Sequence, residues 1–342
     1  MAQASNRPAS SDRRKTKSFQ SSKSERGKVG ARGAVRGGAG IGPAPTERTS
    51  LYDEVTQRIV GELAAGRLPW VQPWDTRVAA GVGLPRNAVS GRAYSGINVL
   101  ILWGAVIERA YRSQDWLTFA QAQKAGGTVR KGERGVTVVY ADRFTPEDEK
   151  EQAAEGNQAP RTIPFLKRFT VFNVAQCDGL SRIASVPAPL GPRETVAVSE
   201  DLIRASGIDF RVGGDEAFYS PIFDLVQVPP QPAFFMPIDY YRTALHELTH
   251  ATGHAARLGR DLTHSFGSKG YAREELVAEM GSAFLCASLG IVPASRHADY
   301  LANWLDLLTR DNRAIFRAAS AASKAADWLL DRLAAAQAEA SA

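Results

Sequence analysis

The sequence predicts an α+β protein of two domains preceded by a disordered basic tail. Three observations lead there. Residues 1–47 carry almost no large apolar residue, two later blocks each mix helical and strand-like periodicity, and a Pro-rich run from Val186 to Pro192 separates those blocks. The divisions read from this are a tail of residues 1–47, a first domain of 48–190 and a second of 191–342. A chain of 342 residues is long enough for both domains.

The tail, with "SSDRRKTKSFQSSKSERGKVGARGAVRGGAG" at its centre, buries too little surface to offset its ordering entropy. It holds ten Lys/Arg and three Asp/Glu, which leaves 32 basic and 33 acidic residues in the rest of the chain. The net charge of +6 therefore belongs to the tail and does not mark the folded part as a nucleic-acid binder. The tail has the Arg/Ser-rich look of an organellar transit peptide but no apolar core of a secretory signal. It reads as a solvated basic arm with weak affinity for nucleic acid. No segment approaches the roughly 18 apolar residues of a membrane span. Cys177 and Cys286 are far apart, which argues against a disulfide framework or a Cys-type zinc site and fits a reducing, cytoplasmic setting.

Order is expected to begin at "TSLYDEVTQRIVGELAAG", where Thr49 or Ser50 can cap and Leu51, Val55, Ile59 and Leu63 recur at helical spacing up to Gly66. "INVLILWGAVIERAYR" is apolar nearly all round and reads as a buried helix; "LTFAQAQKAGG" reads as a short one. The pattern then turns strand-like in "TVVYADRF" and "KRFTVFNV", with the acidic "TPEDEKEQAAEGNQAPRT" as a surface excursion between them. Behind the Pro-rich run come a helix near Val196–Ser206, a strand or hairpin in "FRVGGDEAFYSPIFDLVQVP", and the helix of "YYRTALHELTHATGH". "YAREELVAEMGSAFLCASLG" places Leu276, Met280, Ala283, Phe284 and Ala287 on one stripe, with Gly290 as terminator. Helices in "ADYLANWLDLLTR" and "NRAIFRAASAASKAADWLL" complete the chain, and no internal repeat is present.

His246-Glu247-Leu248-Thr249-His250 carries the chemistry. Positions four apart on a helix point the same way, so two neutral imidazoles grip one ion while Glu247 sits beside it. A zinc-class ion so held lowers the pKa of its bound water to about 7, and the carboxylate takes the proton. With five His in the chain, chance produces this spacing on the order of a few times in a thousand. The bland reading is an amphipathic helix with two core or surface histidines. Ala244, Leu245, Leu248 and Ala251 argue against it, because they bury the helix and a buried His pair needs a partner.

The third ligand separates subclasses. Elongated zinc motifs place a further His ten residues after the first, with Gly at the seventh; Gly253 is present, but Ala256 holds the tenth position and His254 is two early. The alternative is a Glu from a later helix with a second carboxylate four residues on, and Glu275 with Glu279 fits. Glu275 is thus the expected ligand and Glu279 the partner of a ligating imidazole. Glu274 is the runner-up, or a solvated carboxylate favoured by a helix N-terminus. His254 and His264 read as bystanders, Tyr271 as packing or as a carbonyl-polarising group. "IFDLVQVP" is the edge strand along which an extended protein substrate would pair.

The first domain shows no nucleophile-base-acid set and no phosphate loop; "GGTVRKGERG" lacks the Lys-Ser/Thr of a Walker motif. Without the acidic stretch 147–155, residues 48–190 hold 17 basic and nine acidic residues, and four of the six Trp: Trp70, Trp74, Trp103 and Trp116. Basic residues mixed with aromatics suit single-stranded nucleic acid. Aromatics in a domain also simply fill its core, and composition leaves both readings open.

The stretches "PWVQPWD", "LPRNAVSGRAYSGINVLILW", "WLTFAQAQKAGGTVRKGERGVTVVYADRF" and "FLKRFTVFNVAQCDGL", followed by "HELTHATGHAARLGR" and "YAREELVAEMGSAFL", together resemble the ArdC-type antirestriction proteins of conjugative plasmids. The likeness runs in the same order from about Leu51 to Leu330 and leaves out the basic tail. It implies a single-stranded-DNA-binding domain ahead of a zincin-like metallopeptidase domain, with the family's metal motif on His246, Glu247 and His250. Implied partners are single-stranded DNA and a protein substrate on or near it; the implied cofactor is one Zn2+ or another divalent transition metal. Candidate DNA contacts in the resembling stretches are Arg92, Tyr94 (of Tyr94-Ser95), Trp116, Arg130, Lys131, Arg134, Lys167 and Arg168. Some relatives are labelled TraC-type primases, but no cluster of metal-binding acids with a nucleotide loop accompanies that label here. A protein that shields DNA by occupancy, its metal structural, is the competing expectation.

Overall fold

The computed structural model describes residues 50–71, 83–144, 163–180, 192–265, 267–293 and 300–342. The basic tail 1–47, the acidic excursion 145–162, Trp74 and residues 186–191 of the expected linker lie outside the described residues. Pro192 already belongs to a helix.

Helix α1 (Leu51–Ala64) begins where Ser50 accepts a hydrogen bond from the Asp53 amide, and it turns Leu51, Ile59 and Leu63 inward. Strand β1 (Arg86–Asn87) precedes α2 (Ile97–Glu108), which is buried from Val99 to Trp103. After β2 (Asp115–Leu117), Thr118 and Gln121 form a capping box that starts α3 (Phe119–Lys124). Strands β4 (Val136–Phe144) and β5 (Ile163–Asn173) pair antiparallel, with Val138 opposite Phe169 and Tyr140 opposite Lys167. The first sheet has the order β1-β2-β5-β4, and β3 (Thr128–Val129) pairs separately with β6 (Cys177–Asp178). Asn98 of α2 bonds both the carbonyl and the amide of Val139, at 2.7 and 2.8 Å, which ties that helix to the sheet.

Behind α4 (Pro192–Ala205), strands β7 (Asp209–Val212), β8 (Phe218–Ser220) and β9 (Leu225–Val228) form a sheet of order β7-β9-β8. Here the structure corrects an expectation. β9, inside "IFDLVQVP", has a neighbour on each side, so the two edges of the sheet are β7 and β8. Helices α5 (Pro237–Ala251), α6 (Lys269–Ser288), α7 (Leu301–Arg310) and α8 (Ala314–Ala340) follow. α8 runs to Ala340, beyond the expected end near Leu330, because "AAAQAEA" is rich in strong helix formers. Every residue of α6 from Glu275 to Ala287 is buried, rather than one stripe, because α6 is the central helix.

One hydrophobic core serves both halves of the chain. Trp70 meets Trp304 edge to face at 5.5 Å, and Trp103 meets Phe284 at 5.7 Å. Thr56 donates to the Asn312 carbonyl at 2.6 Å, and the Gly96 amide donates to Ser323 Oγ at 2.7 Å. Residues Thr49–Ala342 accordingly group as one compact unit. No helix among the described residues is long and apolar enough to cross a membrane.

Candidate metal centre

Pro237 opens α5 and Asp239 sits in its first turn, both favourable at a helix start. The helix then buries Ala244, Leu245, Leu248 and Ala251 on its inner side. That leaves His246 and His250 one turn apart, with ring centroids 4.9 Å from each other. α6 crosses close beside it. A Cβ on Gly281 would lie 2.5 Å from Thr249 Cγ2, so only glycine permits this approach. The approach sets Glu275 against both rings: its carboxylate oxygens lie 3.6 Å from His246 Nε2 and 3.5 Å from His250 Nε2.

A carboxylate stands behind each ring. Glu274 is within hydrogen-bond reach of His250 Nδ1 at 3.1 Å, and Glu279 faces His246 Nδ1 at 3.9 Å. With a carboxylate on the Nδ1 side of each ring, both Nε2 atoms face Glu275. Donor atoms of His246, His250 and Glu275 lie within 4.8 Å of one another. Tetrahedral bonding at about 2.0–2.2 Å separates neighbouring donors by roughly 3.3–3.5 Å, so the set fits a zinc-class ion with a position left open. Burial works against charge here, but the two imidazoles hold the Glu275 carboxyl far below the usual carboxylate range. Burial likewise opposes protonation of His250, and Glu274 and Glu275 outweigh it, raising that ring to about 10.

Glu274 was the runner-up ligand from sequence, with a solvated carboxylate as its bland alternative. The structure does otherwise with it. Its side chain is 11% exposed and accepts from Arg260 Nε at 3.0 Å and Nη2 at 2.8 Å while it braces His250. Arg260 also donates to Thr252 Oγ1 and the Thr249 carbonyl. The Arg260 link was not legible in the sequence, since an Arg in a loop ten residues past a His has no spacing signal.

Glu247 is 7% exposed and no described residue hydrogen-bonds or ion-pairs with it. It lies on the wall of a 330 Å³ cleft together with His246, His250, Glu275, Tyr271 and Tyr300. Phe218 and Tyr219 of the edge strand β8, with Pro221 beyond it, line the same cleft. Asp224, in a left-handed conformation at φ 50°, locks that edge to the end of α5. It accepts from Tyr219 at 2.9 Å and from Arg257, whose Nε donates to the Ala251 carbonyl at 2.6 Å. Of the other histidines, His254 faces Asp224 at 3.7 Å and His264 pairs with Asp261 at 3.2 Å; neither joins the donor set. Tyr271 Oη lies 3.4 Å from that of Tyr300, and burial foremost pushes the Tyr271 phenol well above its ordinary range.

The candidate DNA contacts are scattered in role. Trp116 is fully buried against Tyr111, so it offers no face to a base; like Trp70 and Trp103, it fills the core. Tyr94 is half-buried and burial raises its phenol. Arg130 is exposed but shared among Glu133, Asp178 and the Ala175 carbonyl, and Arg168 pairs with Glu54 across 3.2 Å. Arg92, Lys131, Arg134 and Lys167 are exposed. Residue patterns missed Tyr140 and Phe169, which are 59% and 46% exposed on the β4–β5 face that also carries Lys167. Strand aromatics look alike in sequence whether they face core or solvent.

Family models match two parts of the chain: residues 49–172 match the N-terminal domain of anti-restriction factor ArdC, and residues 197–321 match a zincin-like metallopeptidase. The protein y4eC of Sinorhizobium fredii is 39% identical over 289 residues, covering 83% of this chain and 93% of that protein. The DNA primase TraC of Escherichia coli is 38% identical over 297 residues, but the chain spans only 27% of its length. Crystal structures of antirestriction ArdC from the R388 plasmid superpose with TM-scores of 0.70 (metal-free) and 0.68 (Mn(II)-bound). Both are 40% identical to this chain; they cover 84% and 83% of it, and in each case 98% of the ArdC chain. With y4eC and the R388 ArdC structures matched over nearly their full length and both domain models in order, the chain belongs to the ArdC family of antirestriction proteins.

Proposed function

We propose that this protein protects incoming plasmid or phage DNA from restriction by joining single-stranded-DNA binding to metal-dependent cleavage of protein on or near that DNA. The observation that carries the hydrolytic half is the unpaired Glu247 carboxylate beside the converging His246, His250 and Glu275 donors. A divalent ion, zinc or the Mn(II) seen in the R388 relative, would be held by those three and would supply Lewis-acid activation of water and of a carbonyl. The chain's own residues do the rest. Glu247 accepts the proton from the attacking water and returns it to the leaving amine. The open edge of β8 pairs with an extended peptide and lays its scissile bond along the cleft. Glu274 and Glu279 keep the imidazoles oriented.

The DNA half is supported by the family match and by Tyr140, Phe169 and Lys167, an exposed face offering stacking and phosphate pairing together. The deciding experiment is Glu247→Gln, with proteolysis, metal content and protection from restriction measured in parallel. Glutamine keeps the size of the side chain but takes no proton, so proteolysis is expected to fall about 10²–10⁴-fold with metal retained. Wild-type proteolysis in the variant would remove Glu247 as the base. Undiminished protection would leave occupancy of the DNA as the mode of action.

A further inference from the structure

A second groove, of about 680 Å³, opens where α1 meets α8 and shares no lining residue with the metal cleft. Along α8, Arg313, Arg317, Ser320 and Lys324 succeed one another at spacings of four, three and four, which puts them on one side of the helix. They cover ~16 Å of its length, and all four are exposed. Tyr52 of α1 and Phe316 form an aromatic floor, edge to face at 4.7 Å, and the Arg313 guanidinium lies 4.7 Å over the Tyr52 ring.

The cations differ in what they have left to give. Arg260 lines the groove, but its N–H groups already serve Glu274, Thr252 and the Thr249 carbonyl, so it acts as wall. Arg317 shares its charge with Asp311. Arg313 and Lys324 make no ion pair among the described residues. The groove therefore sets three cations against one carboxylate, beside two half-buried rings, at the positive end of a 27-residue helix. Its complement is a polyanion that also carries flat aromatic groups.

We propose that this groove binds single-stranded nucleic acid, with phosphates on Arg313, Arg317 and Lys324 and an unpaired base against Tyr52 and Phe316. A duplex keeps its bases stacked inside and has no free face for the rings, while an acidic peptide uses the cations and leaves the rings idle. The site is made by residues of α1 and α8, none of them on the β4–β5 face, and stands whether or not that face binds DNA.

The test uses the full chain and an iodouracil-substituted oligothymidylate of about 12 nucleotides, photo-crosslinked and mapped by mass spectrometry. Crosslinks are expected at Tyr52 or Phe316. Lys324→Gln, at an exposed position, is expected to weaken them severalfold, and Arg313→Gln with Lys324→Gln roughly tenfold. The salt dependence of binding should flatten by about 0.7 for each phosphate left without its cation. Lys124→Gln, an exposed cation of α3 outside both surfaces, serves as the control and should leave these crosslinks in place. Crosslinks that avoid both rings, or that persist undiminished in the correctly folded double variant, would overturn the proposal. So would an oligoglutamate of equal charge that competes as well as unlabelled oligothymidylate, since that would make the groove a peptide site.

Discussion

Replacing Glu274 by glutamine separates bracing from ligation at the metal centre. In the structure this carboxylate takes two hydrogen bonds from Arg260 and faces His250 Nδ1 at 3.1 Å, with only 11% of the side chain exposed. Removing its charge strands a guanidinium whose own side chain is 13% exposed. Breaking a buried pair from one side costs about 3–5 kcal/mol. Arg260 keeps Thr252 Oγ1 and the Thr249 carbonyl as acceptors, so the lower end, ~3 kcal/mol, is the expectation. For a folded unit running from Thr49 to Ala342 that corresponds to a fall of about 5 °C in the melting temperature of the metal-free protein. Loss of the brace behind His250 should weaken metal binding about 10–100-fold, or ~1.4–2.7 kcal/mol. Glu275→Gln should cost more metal affinity, because it removes a donor outright. The assays are calorimetric titration with Zn2+ or Mn2+ under chelator competition and thermal unfolding of the metal-free variants. A larger loss of metal affinity for Glu274→Gln than for Glu275→Gln would refute the assignment and move the ligand one position along α6.

Four further outcomes are expected. His246→Ala should abolish stoichiometric metal binding measured by elemental analysis; full retention would displace the donor set. Gly281→Ala should cost about 1–3 kcal/mol of stability and weaken metal binding together, because the added methyl lands on Thr249 and parts α5 from α6. Arg257 holds the Asp224 carboxyl below its ordinary range, so its stabilisation is complete above the unfolded pKa and lost as pH falls through the lower folded value. Asp224→Asn should therefore destabilise the protein at neutral pH and flatten the acid limb of its stability profile below about pH 4; an unchanged limb would refute this. A fragment of residues 48–190 should not fold by itself, since it would expose Trp70 and Trp103. Tryptophan emission at native wavelength in that fragment would contradict the shared core.

The parts legible in the sequence are those with a local code. Helical spacing marks α1, an unbroken apolar run marks the buried α2, and the i, i+4 histidines mark the metal helix. The pairing of Glu275 with a carboxylate four residues on picks the residue the structure brings to both imidazoles. Long-range packing has no such code. Whether a Trp faces base or core depends on a partner two hundred residues away, as Trp70 on Trp304 shows, and so Trp116 looked like a surface ring. Which strands of a three-stranded sheet are its edges depends on pairing order; here β9 is central, and the edge strand that lines the cleft is β8. The groove between α1 and α8 joins residues 52 and 313–324, and nothing in either stretch alone announces the other.

The interlocked tryptophans also bear on how such proteins can be rebuilt. A chain of two domains on a flexible tether accepts a new front half from any relative, since each half carries its own interior. Here the inner faces of α1 and α2 are the mould for α6, α7 and α8, and Gly96 is fastened directly to Ser323. A chimera that exchanges residues 49–172 therefore inherits a misfitting interior unless Phe284, Trp304 and Ser323 are exchanged with it. Swapping specificities in this family calls for cutting along the packing surface, with both sides of the shared core exchanged together.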